Sequence, residues 1–134
     1  MTFFAGVTTE QLSHVDLFEG LGEEALEAIA ERSVFIGARP GLHIVKEGES
    51  GFDFYVIMAG TVDVMVEGAR VASLGPGDVF GEMALLGGGK RSADVVATSI
   101  VSLLTMMVWD YRRTAGEYPE LARRLEALAA ARSA

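Results

Sequence analysis

The chain has 134 residues, half of them apolar and 22% charged, which suits one soluble globular domain with a single core rather than a disordered segment. It contains no cysteine, so a disulfide framework and a thiolate metal site are both excluded, and His14 and His43 stand in no metal-ligand spacing. Nineteen acids against eleven bases give a formal charge of −8, which repels nucleic acid and anionic lipid unless the bases cluster; Lys90-Arg91, Arg112-Arg113 and Arg123-Arg124 are isolated pairs.

The opening MTFFAGVTTEQ lacks the positive n-region and the long apolar stretch of a signal peptide, which points to the cytosol. Residues 8 to 32 predict helix, because Leu26, Ile29 and Ala30 recur at helical spacing and acids crowd the first turn of GEEALEAIAER. Residues 33 to 108 predict strands. Twelve of the 16 glycines fall between Gly37 and Gly89, separating the runs SVFIGA, HIVKEG, FDFYVIM, TVDVMVEG, RVASL, DVF, SADVVAT and SIVSLLTMMV. Turns at RPG, EGESG, AG, EGA and GPGD complete a pattern of about eight short strands, the mark of an antiparallel roll or jelly-roll-like sandwich. Ile100 to Trp109, the most apolar segment, is about half the roughly 20 residues of a membrane helix and reads as a buried strand.

From Asp110 the pattern returns to helix. WDYRRTAGEY predicts a short helix ending near Gly116, and Pro119 fits the first turn of a second, with Leu121, Leu125 and Leu128 on one face. That stripe serves either as core or as the seam of a homodimer. Trp109, Tyr111 and Phe54 are expected to pack in the core or against helices. The expected organisation is one domain over 1–134, with a helical segment at 8–32, a roll at 33–108 and C-terminal helices at 109–133.

The chemistry is concentrated in residues 80 to 93, FGEMALLGGGKRSA. A triphosphate loop of the form G-x-x-x-x-G-K-[ST] is excluded, since counting back from Gly89-Lys90 gives Ala84 at the first position and Arg91 follows the lysine. Gly81 lets the backbone swing sharply, and EMALL has the propensities for one helical turn, whose unpaired N–H groups attract an anion. Glu82 beside that anion suits a neutral donor such as a sugar hydroxyl. GGGK then curls back to bring Arg91, a planar, permanently charged fork matched to phosphate oxygens, with the Ser92 hydroxyl beside it. A phosphate joined to a ribose, set against an apolar roll wall, satisfies these groups together.

This segment closely resembles the phosphate-binding cassette of cyclic-nucleotide-binding domains, F-G-E-[LIM]-[AG]-L-(loop)-R-[STA]-A. The resemblance extends to VDLFEGLGEEALEAIAER, KEGE, AGTVDV, LGPGDVFGE and the closing EYPELARRL, so it covers nearly the whole chain. It implies that Arg91 pairs with the exocyclic phosphate oxygens and that Glu82 accepts from the ribose 2′-hydroxyl. It further implies that Gly81 and backbone N–H groups near Met83 and Ala84 complete the cradle, with Ser92 and Ala93 on its far side. Val64, Val71 and Ala72 align with roll positions that contact the base. Ser92 stands where cGMP readers often carry Thr, so the resemblance favours cAMP over cGMP as the ligand, with no other cofactor.

The function so implied is a sensor in which ligand capture moves the C-terminal helices. Hydrolysis finds no support: there is no metal cluster, no His–nucleophile pair and no positioned general base. A cupin-like enzyme would need a histidine-rich metal set, which two separated histidines do not supply. A degenerate roll acting only as a protein–protein interaction module would be expected to have lost the arginine or the glutamate, and both are present. Transcription-factor relatives continue into a DNA-reading helix-turn-helix, and other relatives carry an effector on the same chain. The sequence in hand ends at Ala134, so the output is expected to pass to an effector protein or to a further domain. The last helix, EALAAARSA, offers no aromatic to cap the base, and Arg132 is a poor substitute.

Overall fold

A computed structural model describes residues 2–4, 6–82 and 90–133. The central feature is a seven-residue strand, β4 (Asp53–Ala59), antiparallel to β9 (Val101–Met107). With β1 (Thr2–Phe4), β2 (Val34–Ala38) and β7 (Val79–Phe80) they form a five-stranded sheet in the order β1-β2-β9-β4-β7. A second sheet has the order β3-β8-β5-β6, from β3 (His43–Val45), β8 (Asp94–Ala97), β5 (Val62–Val66) and β6 (Ala69–Leu74). Every strand pair is antiparallel. Eight strands fall in the eight apolar runs expected of them, and the chain is an antiparallel roll with flanking helices. The ninth, β1, was not expected, because three residues are too few to show a period.

The continuous apolar run of β4 follows from its place between two layers. Phe54 and Val56 point to a helical layer, while Tyr55 and Ile57 point into the roll. The helical layer consists of α1 (Thr9–Ser13), a 3-10 turn at Asp16–Phe18, α2 (Glu23–Glu31), α3 (Val108–Glu117) and α4 (Pro119–Ser133). α1 starts on a capping box in which the Thr8 hydroxyl accepts from the Gln11 N–H and the Gln11 side chain accepts from the Thr8 N–H. α2 buries Leu26 and Ile29 and ends where the Ser33 hydroxyl donates to the Ile29 carbonyl at 2.6 Å. Arg32 then ties α2 to α3, its Nη1 donating to the Thr114 hydroxyl at 2.8 Å and to Glu117 at 2.6 Å. Pro119 opens α4, since its missing N–H is one that no helix bonds at that position.

The leucine stripe of α4 resolves to core. Leu121 and Leu125 are fully buried among Leu12, Leu17 and Phe18, and Leu128 packs half-buried beside them. Tyr111 of α3 meets Phe54 edge-on with ring centroids 5.8 Å apart, and burial, helped by the charge of Glu126, pushes its hydroxyl up to about 12. Trp109 departs from expectation. It is 57% exposed, because Val108, Tyr111 and Thr114 take the inward face of α3 and the tryptophan lies on the other side of the helix. No helix among the described residues is long and apolar enough to cross a membrane.

Candidate functional site

β4 and β7 together position the site. The turn between β6 and β7 is closed by Asp78, whose carboxylate accepts from the Gly75 N–H at 2.9 Å. Its carbonyl accepts from the Ile57 N–H of β4, also at 2.9 Å. β7 therefore runs along β4, with Tyr55 opposite Phe80 in the register and their rings stacked 4.9 Å apart. Gly81 follows at φ +79°, a backbone conformation that an L side chain rarely adopts, and turns the chain off the sheet. Glu82, next in sequence, is 6% exposed.

Arg91 reaches this point from the other side. Its main chain is clamped to the loop before β4: the Arg91 N–H donates to the Glu49 carbonyl at 2.7 Å, and its carbonyl accepts from the Gly48 N–H at 2.9 Å. Ser50 and Lys90 add a β-bridge alongside. The guanidinium, 9% exposed, then lies against Gly51. Nη2 donates to the Asp53 carboxylate at 2.7 Å and to the Asp53 carbonyl at 2.8 Å, while Nη1 donates to the Gly81 carbonyl at 3.3 Å.

A guanidinium carries five N–H donors, so these three contacts do not exhaust the fork. They place a fixed, desolvated cation beside Gly81 and Glu82. The other Asp53 carboxylate oxygen accepts from the Tyr55 hydroxyl at 2.9 Å. Burial first, then the Asp53 charge and hydrogen bond, holds that hydroxyl well above its ordinary range, so it stays a neutral donor.

Of the expected site residues, Gly81, Glu82 and Arg91 are thus brought together. Ser92 is exposed and Ala93 half-buried on the lead into β8. Val64 pairs with Ala72 on one side and Val95 on the other, so the three share one face of the second sheet. Val71 falls at the β-bulge between β5 and β6 and is 60% exposed. Met83, Ala84 and the expected one-turn helix lie outside the described residues, as does the side chain of Arg132. Among the described residues, no three His, Asp or Glu side chains gather where they could hold a metal.

Two residues of the site were not anticipated. Asp53 read as a strand residue within FDFYVIM, and only the fold shows it as the carboxylate behind Arg91. Gly51 read as a turn glycine. A Cβ there would collide with the Arg91 guanidinium, so its lack of a side chain is what lets the arginine lie flat. The run KEGESGFD carries a trace of both roles, a glycine-rich turn ending in an acid beside a strand, but nothing in it names a partner 38 residues away.

The matching family model covers residues 36–112, more than half of the chain, and describes a cyclic nucleotide-binding domain. The chain belongs to the cyclic nucleotide-binding domain family. Among curated relatives it is 37% identical over 89 residues to a cAMP-dependent protein kinase regulatory subunit of Yarrowia lipolytica, covering 66% of this chain and 24% of that one. It is 40% identical over 79 residues to a cGMP-dependent protein kinase of Toxoplasma gondii, covering 59% of this chain and 8% of the other. The catabolite activator protein of Thermus thermophilus superposes with a TM-score of 0.78 at 34% identity, covering 87% of this chain and 57% of that structure. The chain therefore spans a quarter or less of these two kinase-related proteins.

Proposed function

We propose that this cyclic nucleotide-binding domain is a reversible sensor rather than a catalyst, and that its ligand is a 3′,5′-cyclic nucleotide, cAMP in preference to cGMP. The observation that carries the reading is the Arg91 guanidinium, desolvated, backed by Asp53 and aimed at the Gly81–Glu82 turn. A low-dielectric setting strengthens its attraction for a phosphate, and Arg offers the planar fork that phosphate oxygens fit. In this reading the phosphate sits on Arg91 and on the backbone N–H groups of Met83 and Ala84, flanked by Ser92 and Ala93. Glu82 accepts from the ribose 2′-hydroxyl, and the base lies along Val64, Val71 and Ala72. Ser92 in place of threonine favours adenine. Both nucleotides figure in the names of the kinase relatives, so the choice rests on that residue.

Signal output follows by population shift. Ligand that binds one arrangement of α3 and α4 better than another draws the chain toward it, with a coupling of about 1–3 kcal/mol. The listener is an effector protein or a domain beyond this sequence. Calorimetric titration of cAMP and cGMP into the wild type and Arg91→Ala tests the reading. The wild type should bind cAMP saturably and more tightly than cGMP, and the variant should lose on the order of 100-fold, the loss of one or two charge-assisted hydrogen bonds. No saturable heat in the wild type, or equal binding by the variant, would sink it. Glu82→Ala should weaken cAMP more than its 2′-deoxy analogue, and equal losses would remove the sugar contact.

A further inference from the structure

The first turn of α3 carries an apolar group that the fold leaves uncovered. Phe52 and Trp109 are each 57% exposed, and their rings lie 6.4 Å apart with a 36° tilt. They are held as neighbours, because the Val108 N–H donates to the Phe52 carbonyl at 2.6 Å. Along α3, Val108, Tyr111 and Thr114 face inward. At about 100° per residue, Arg112 and Arg113, three and four positions after Trp109, stand on its outward side. Both are exposed, and neither forms a salt bridge among the described residues, whereas Arg32, Arg91, Arg123 and Arg124 all do. A chain of formal charge −8 thus presents, among the described residues, two exposed cations without a salt bridge beside Trp109 and its neighbour Phe52, the Arg113 charge reaching only Glu117, which Arg32 already holds.

The geometry points to this face, Phe52 with Trp109, Arg112 and Arg113, as the docking surface for an acidic partner segment that carries an aromatic or aliphatic side chain. Exposed aromatic and arginine side chains in one patch are the residue types that dominate binding energy at interfaces. The charge selects the partner class. Two arginines match a short acidic peptide. A duplex or an anionic membrane presents its charge over a much wider area, where the acidic remainder of this chain would be repelled. An acidic segment is also attracted locally against the chain's own field, which gives the face its selectivity.

Trp109 is the only tryptophan in the sequence, so its emission reads the face directly. Selecting a displayed library of short random peptides on the full chain, without nucleotide, should enrich sequences of net negative charge with at least one aromatic or aliphatic residue. Titrating synthetic copies of the enriched peptides should shift Trp109 emission to the blue and saturate. The double variant Arg112→Glu, Arg113→Glu should bind them at least about tenfold more weakly, and more weakly still relative to wild type at low salt. Phe52→Ser should lose a similar factor, with circular dichroism confirming that each variant is folded. Enrichment without acidic bias would overturn the proposal, and so would peptides that bind the charge-reversed chain equally well. An emission shift produced by phosphatidylglycerol vesicles, or by raising the chain's own concentration, in place of the acidic peptides would overturn it too. Because the selection omits nucleotide, it stands or falls separately from the calorimetry on Arg91.

Discussion

β4 and β6 differ by one residue in length, yet they live in different surroundings. Phe54, Tyr55, Val56 and Ile57 of β4 are all buried, whereas five of the six residues of β6 are exposed. β4 lies inside its sheet between β9 and β7, covered by helices on one face and by the second sheet on the other. β6 is an edge strand with β5 as its one neighbour. Along the same face of β5, exposure rises from Val62, fully buried, to Val64 and Val66, both half-buried. The roll is filled at one end and open at the other. The filled end supplies stability, and the open end is where the proposed base contacts of Val64, Val71 and Ala72 lie.

That division can be broken by mutation. Ile57→Ala, which empties a site with no exposed surface, should cost about 3 kcal/mol of stability in denaturant titration, while Val71→Ala on β6 should stay within about 0.5 kcal/mol. Equal costs would mean that the second sheet is as tightly built as the first. Gly51→Ala sharpens the comparison at the junction of the two. The new Cβ collides with the Arg91 guanidinium, so nucleotide affinity should fall by about tenfold, the order of one hydrogen bond lost. Unchanged affinity would show that the arginine can bind ligand from another position.

The smallest effect belongs to the outer surface of the second sheet. The Glu47 N–H and then the His43 ring, bonded to the Asp94 carboxylate at 2.6 and 2.7 Å, hold its carboxyl below the usual range. The folded chain therefore binds that proton less readily than the unfolded one. The resulting stability is present above the unfolded pKa and is lost as pH falls through the lowered folded value. Asp94→Asn should be slightly less stable than wild type near neutrality, and the difference should vanish in strong acid. A gap that persists at low pH would assign the effect to packing.

Much of this was legible in the residues. FDFYVIM and SIVSLLTMMV announce strands by their β-branched and aromatic runs, and Pro119 with its leucine stripe announces α4, because period and turn chemistry act locally. Glu82 and Arg91 stand out through the cassette they resemble, and the fold sets Arg91 against the Gly81 carbonyl, one residue before Glu82. Asp53 was not, since its partner lies 38 residues on and an acid in a strand run has no local signature for a buried arginine. Trp109 misled for a related reason. A tryptophan beside an apolar strand reads as core, but the phase of α3 was already taken by Val108 and Tyr111.

The clamp on Arg91 has one more consequence. Its main chain is fastened to Gly48 and Glu49 and its side chain to Asp53, so the loop before β4 and the first residue of that strand fix where the arginine stands. A pull on the guanidinium is therefore a pull on β4, the strand whose Phe54 and Val56 carry the helical layer.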